Sequence, residues 1–132
     1  GARGWRNAFA NGGIPALLAL FGLLSHGPLR TAYLIAYAAA VATAAADTCS
    51  SEIGKAYGKR TFLSTNLRPV PAGTEGAVSV EGTLGGLFGA VFIASLGVIT
   101  GLFGATAALV VTLAGFLGAL AESVIGTVAE KP

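Results

Sequence analysis

The chain has 132 residues, 54% of them hydrophobic and only 11% charged, with a mean hydropathy of +0.75. Soluble domains carry about 25% charged residues, so this composition excludes an ordinary water-soluble domain and points to an integral membrane protein. The net charge of +2 is too small to hold nucleic acid, and the single cysteine, Cys49, excludes an internal disulfide or a cysteine-based metal site.

No methionine occurs, not even at position 1, so the sequence reads as a piece of a longer protein. Its 20 glycines, with many alanines, fit close helix–helix packing in lipid, as in the pairs Gly85/Gly89 and Gly97/Gly101. The expected fold class is all-α: a polytopic membrane bundle of about four transmembrane helices in one integral membrane domain, 1–132.

The first charge-free run lies between Arg6 and Arg30. It is long enough to span, since a crossing helix needs about 20 residues, and predicts a helix over about 8–25. Pro15 is tolerated near its start, and Ser25-His26-Gly27-Pro28 ends it. A second helix follows over about 29–53. Its charge-free part, Thr31 to Ala46, is too short to cross alone, which draws Asp47, and with it Glu52, towards the interface. Gly54 is the expected C-cap.

Residues 54–82 form a polar, glycine-rich loop carrying Lys55, Lys59, Arg60 and Arg68. Forty uncharged residues (82–121) then suit a hairpin of two spans, about 83–98 and 103–129. Basic residues flank the cytoplasmic side of membrane helices. Arg3, Arg6, the four cations of the loop and Lys131 therefore place both termini and the 54–82 loop in the cytoplasm, with Arg30 alone on the other side.

Asp47 is the residue that asks for an explanation, because a carboxylate near hydrocarbon is costly and is usually kept for ion, proton or phosphate chemistry. At helical spacing it joins Thr43, Ser50, Ser51 and Gly54 in a polar stripe, with Thr48, Glu52 and Lys55 alongside. Carboxylates, hydroxyls and water are ligands that Mg²⁺ accepts. The plainer reading is an interfacial collar at the end of the helix. Glu122 sits on a small-residue face with Gly115, Gly118, Ala119 and Gly126 that should pack inward; its plainer reading is a snorkelling interfacial acid.

The loop from Arg68 to Thr83 lacks the pattern GxxxxGK[ST], but its glycines allow close backbone approach to a ligand. Thr74, Ser79 and Thr83 add hydroxyls, and Gly82-Thr83 open the third helix, whose N-terminus suits an anion. A flexible connecting loop is the alternative. Arg68, which abuts the glycines, is the preferred phosphate ligand among the cations. A transporter using Asp47 and Glu122, or an inactive structural subunit, competes with a Mg-nucleotide enzyme.

The ordered motifs Asn11-Gly12-Gly13, Ala46-Asp47-Thr48-x-x-Ser51-Glu52-Ile53-Gly54, Pro69-Val70-Pro71-x-Gly73-Thr74-x-Gly76-x-Val78-Ser79-x-x-Gly82-Thr83 and Glu122-Ser123-x-x-Gly126 resemble the multi-pass phytyl-phosphate kinase family, long described as a domain of unknown function. Asp47…Gly54-Lys55-x-x-Gly58-Lys59…Glu81-Gly82-Thr83 is more distantly similar to CTP-dependent dolichol and phytol kinases. The sequence departs from the first family at Cys49, often tryptophan there, and at Glu75, often asparagine.

The resemblance implies transfer of a nucleotide γ-phosphate, with CTP as the donor, to an isoprenyl monophosphate such as phytyl phosphate. The product would serve tocopherol- or phylloquinone-type synthesis. It implies Asp47, Glu52, Arg68 and Lys55 as catalytic residues, with Asp47, Glu52 and Glu122 at Mg²⁺. Gly73, Thr74, Gly76, Ser79, Glu81, Gly82 and Thr83 would hold the nucleotide, and Asn11 and Glu122 would face the acceptor phosphate. The partners are then the lipid bilayer, the isoprenyl monophosphate and the nucleoside triphosphate; self-association is left open.

Overall fold

Hydrocarbon offers no hydrogen-bond partners, so an apolar chain must satisfy its backbone internally, and a helix does this within each segment. In the computed structural model of the chain, which describes residues 5–57, 62–63, 69 and 77–129 (side chains of 12–57, 69 and 79–124), the apolar runs wind into four helices. These are α1 (Trp5–Leu24), α2 (Gly27–Tyr57), α3 (Val80–Ile99) and α4 (Ala105–Ala129). Between α2 and α3, β1 (Phe62–Leu63) pairs antiparallel with β2 (Ala77–Val78), Phe62 opposite Val78 and Leu63 opposite Ala77.

The chain is a membrane helical bundle. Among the described residues three helices are long and apolar enough to cross a bilayer, within Gly27–Tyr57, Val80–Ile99 and Ala105–Val124; the apolar stretch of α1, Gly12–Leu24, is shorter. Pro15 lies well inside α1 because the helix already begins at Trp5. Lacking an N–H, it cannot bond the carbonyl four residues earlier, that of Asn11.

The turns follow local chemistry. Gly27 has φ +62° where α2 begins, with Pro28 next, where a missing N–H costs nothing. After α3, Gly101 has φ +80°, and Gly101 N–H donates to Val98 O (3.0 Å) while Leu102 N–H donates to Gly97 O (2.8 Å). This pair of bonds is the Schellman arrangement that closes a helix on a left-handed residue.

The core consists of small residues: Ala38, Ala42, Ala46, Ala90, Ala94, Val111 and Ala119, with Val111 the largest fully buried side chain. Backbones therefore meet almost directly. A Cβ on Gly82 would lie 2.7 Å from Ser50 O and 3.1 Å from Gly54 Cα. One on Gly89 would lie 3.0 Å from Ala45 O, and one on Gly115 2.6 Å from Ala42 Cβ. The order of these contacts sets α3 antiparallel and α4 parallel to α2, which is the central helix. On its other side α1 packs Gly22 against Tyr33 and Leu34.

Instead of ending at Gly54, α2 continues through it to Tyr57. Gly54 serves the crossing with α3 and caps nothing. Large apolar side chains such as Phe88, Ile99 and Leu109 point outward, 70%, 78% and 68% exposed, as lipid-facing residues do. Hydroxyls within the spans bond back to their own helix, Thr43 to Ala39 O (2.8 Å) and Thr112 to Ala108 O (2.9 Å).

Gly82→Ala is expected to force α3 off α2, costing about 1–3 kcal/mol as overpacking does, because two of the three nearest obstacles, Ser50 O and Gly54 Cα, are backbone atoms of α2. Gly12→Ala, with nothing within 4 Å of the added Cβ, should leave the melting temperature in detergent unchanged or raised. Equal melting temperatures for the two variants would contradict the crossing described.

Candidate functional site

The antiparallel order gathers the C-terminal ends of α2 and α4 and the N-terminal end of α3 at one end of the bundle. There a small pocket is lined by Asp47 and Ser50 from α2, Thr83 and Gly86 from α3, and Phe116, Ala119, Leu120 and Ser123 from α4. One carboxylate and three hydroxyls thus converge from three helices. Its volume of about 10 Å³ admits roughly one water, so a phosphate oxygen or an ion fits there while a whole nucleotide does not. Asp47, Ser50, Thr83 and Ser123 are half-buried, so the pocket is reachable from outside.

The neighbouring acids sit differently. Glu52 is exposed, and five residues beyond Asp47 it lies about 140° further round α2, outside the pocket. Because α4 runs parallel to α2 and Gly118 abuts Thr43, Glu122 stands four residues further along its helix as Asp47 does along α2. The two acids are therefore level with each other. Gly115 and Ala119 are buried, as the small-residue face leads one to expect, but Glu122 at the end of that face is exposed, and Ser123 lines the pocket.

The start of α3 is built by Ser79. This residue is 4% exposed, has extended backbone, and accepts a hydrogen bond from Gly82 N–H on its Oγ (3.0 Å). Thr83 N–H donates to Ser79 O (2.9 Å). The N–H groups of Gly82 and Thr83, expected from sequence to face phosphate, are thus engaged within the helix start. Thr83 instead offers its hydroxyl to the pocket. The absence of a side chain at Gly82 makes room for α2. Glu81 is half-buried in the first turn, and Lys55 is exposed in the last turn of α2; both signs suit the helix dipoles.

Arg68, Gly73, Thr74 and Gly76 lie outside the described residues, and of Asn11 only the helical backbone is described. Among the described residues no three His, Cys, Asp or Glu gather into a metal cluster. The pocket is an oxygen-only donor set with one carboxylate, which suits a hard divalent cation whose other ligands come from phosphate and water. Ser50 was visible in the stripe and Ser123 in the last motif, but neither had an assigned role. Phe116 and Leu120 gave no chemical signal, since they read as ordinary apolar helix.

The family described as integral membrane protein DUF92 matches residues 1–132. The chain is 44% identical over 131 residues to uncharacterized membrane protein sll0875 of Synechocystis sp.. It is 40% identical over 128 residues to protein VTE6, chloroplastic, of Arabidopsis thaliana, and 38% identical over 130 residues to uncharacterized membrane protein MJ0933 of Methanocaldococcus jannaschii. These matches cover 99%, 96% and 98% of this chain but 51%, 38% and 52% of the relatives, so the chain spans about half of their length or less. No solved structure matches it.

Ser79→Ala removes a buried cap and leaves the Gly82 N–H without its acceptor. It should cost about 1 kcal/mol or slightly more, seen as a lower melting temperature in detergent, while Ser79→Thr retains most of the stability. Equal loss in both variants would mean the hydroxyl does not cap α3.

Proposed function

The chain belongs to the integral membrane protein family DUF92, and we propose that it is the core of a membrane kinase. In this reading it transfers the γ-phosphate of a nucleoside triphosphate, CTP, to an isoprenyl monophosphate such as phytyl phosphate. The diphosphate product would feed tocopherol- or phylloquinone-type synthesis. The observation that supports this best is the convergence of Asp47, Ser50, Thr83 and Ser123 at one end of a bundle that is otherwise apolar. A transporter would carry its acids near the midplane. Here the core on the far side of the pocket is closed by Ala42, Ala90 and Val111, all with 0% exposure.

Phosphoryl transfer asks mainly for positioning and charge neutralisation. An oxygen of the acceptor monophosphate attacks the γ-phosphorus. The bond from that phosphorus to the β–γ bridging oxygen breaks, and its electron pair leaves with the nucleoside diphosphate. The attacking phosphate is already ionised, so no general base is required. Asp47 would hold Mg²⁺ together with phosphate oxygens, with Glu122 level with it; the ion, when bound, supplies charge neutralisation and alignment of the phosphates. The hydroxyls of Ser50, Thr83 and Ser123 orient phosphate oxygens. Because the pocket admits little more than an oxygen, the nucleotide itself would lie outside it, on the side of Lys55 and the loop that joins α2 to α3; Arg68 of that loop would contribute its charge. Glu52 would act from the rim. On this reading that loop and both termini face the cytoplasm.

The test uses the full-length protein, purified in detergent, with Mg²⁺, γ-labelled CTP and phytyl monophosphate. Label is expected in an isoprenyl diphosphate. Asp47→Asn should lower the rate on the order of 10²-fold or more, the usual scale for losing a group that stabilises developing charge, with an unchanged melting temperature. Absence of transfer with any nucleotide would overturn the reading, as would cation flux that depends on Asp47 without phosphate transfer.

A further inference from the structure

The pocket has two halves. Asp47, Ser50, Thr83 and Ser123 supply one, and Phe116, Ala119 and Leu120 of α4 supply the other. From Leu120 the same face of α4 continues through Leu113 and Leu109, spaced seven and four residues apart. Leu113 and Leu109 are 59% and 68% exposed. From Leu120 to Leu109 the lane measures about 16 Å at about 1.5 Å per residue, and it runs from the polar end of the bundle towards the α3–α4 turn.

We propose that this lane is the binding site for the hydrocarbon chain of the acceptor, whose phosphate then presents an oxygen to the Asp47 pocket sideways from the bilayer. The inference rests on the kinase reading for the identity of the acceptor. An exposed leucine stripe alone would be an ordinary lipid face. What selects this one is that it runs unbroken into a half-buried carboxylate and three hydroxyls, the layout that an amphiphile with a charged head and an apolar tail requires. The α1 side of the bundle has no such continuity: there Gly22 packs against Tyr33 and Leu34, and the Asp47 face of α2 is turned to α3 and α4. A ligand arriving laterally also leaves the aqueous side of the pocket to the nucleotide.

The test places a single tryptophan in the full-length protein in lipid nanodiscs with Mg²⁺, after Trp5 and any tryptophan outside these 132 residues are replaced by phenylalanine. Leu113→Trp and Leu109→Trp report from the lane, and Phe92→Trp, 54% exposed on α3, reports from plain lipid surface. Phytyl monophosphate should change the emission of both lane reporters saturably and leave Phe92→Trp with only a linear partition response. Adding Asp47→Asn should weaken half-saturation about tenfold, because the carboxylate that would hold Mg²⁺ against the phosphate is lost. Responses that are the same at all three positions, or saturable only at Phe92→Trp, overturn the lane. Transfer assays on the same samples separate the two ideas. Diphosphate formation with silent lane reporters sinks the lane alone. Saturable lane binding without diphosphate formation sinks the kinase and leaves a lipid-phosphate site.

Discussion

The structure depends on the approach of two backbones, where Gly82 of α3 lies against the carbonyl of Ser50 on α2, with room for no side chain between them. In a bilayer the tails of the lipids are as apolar as leucine, so helices gain little by hiding leucines from them. What holds helices together is dispersion summed over close contact, and contact this close is possible only through residues without bulk. Gly85, Gly86 and Gly89 extend the same seam along α3, and Gly115 and Gly118 repeat it on α4 against Ala42 and Thr43. With two helices seated on it so tightly, α2 becomes the reference to which everything else is registered.

That registry makes the site. Asp47 is one turn below Ser50, and the carbonyl of Ser50 is the very group against which Gly82 rests. The packing contact and the polar pocket therefore share a helix turn, and Thr83, next to Gly82, is delivered to Asp47 by the same crossing. On the other flank the contact of Gly118 with Thr43 sets Glu122 level with Asp47 and puts Ser123 in the pocket wall. A carboxylate at this depth is expensive in hydrocarbon, and the three hydroxyls and half-exposed position lessen that cost. Beyond the pocket the core closes with alanines and Val111, which confines the polar chemistry to one end.

Several glycines carry a double meaning that only the packing resolves. Gly82 stands in a motif that suggests backbone wrapped around a phosphate and Gly54 reads as a helix cap, yet the space a Cβ would take at Gly82 is occupied by α2. The anion-binding potential of the start of α3 is likewise drawn inward, since Ser79 takes the Gly82 N–H. The hydroxyl of Thr83 is what remains to face a ligand. The relatives, at 38–44% identity, are about twice as long as this chain or longer, and the pocket is what these helices assemble by themselves.

Much of this was written in the sequence. Low charge and long apolar runs separated by glycine, proline and cations determined a helical membrane bundle, because an unpaired backbone cannot lie in hydrocarbon whatever the neighbours are. The order of the helices and the hairpin between α3 and α4 followed from local rules that need no partner. The helix end at Tyr57 was less legible, because Gly54 looks like a boundary in a sequence and becomes an interior position once α3 packs on it. The pocket was legible only in pieces. Asp47 announced itself, whereas Ser50, Ser123, Phe116 and Leu120 acquire meaning only beside it. Which hydroxyls join Asp47, which glycines serve packing and which leucine lane reaches the pocket were decided by the tertiary structure, since they depend on the rotation and depth of one helix against another, set by contacts between residues far apart in the chain.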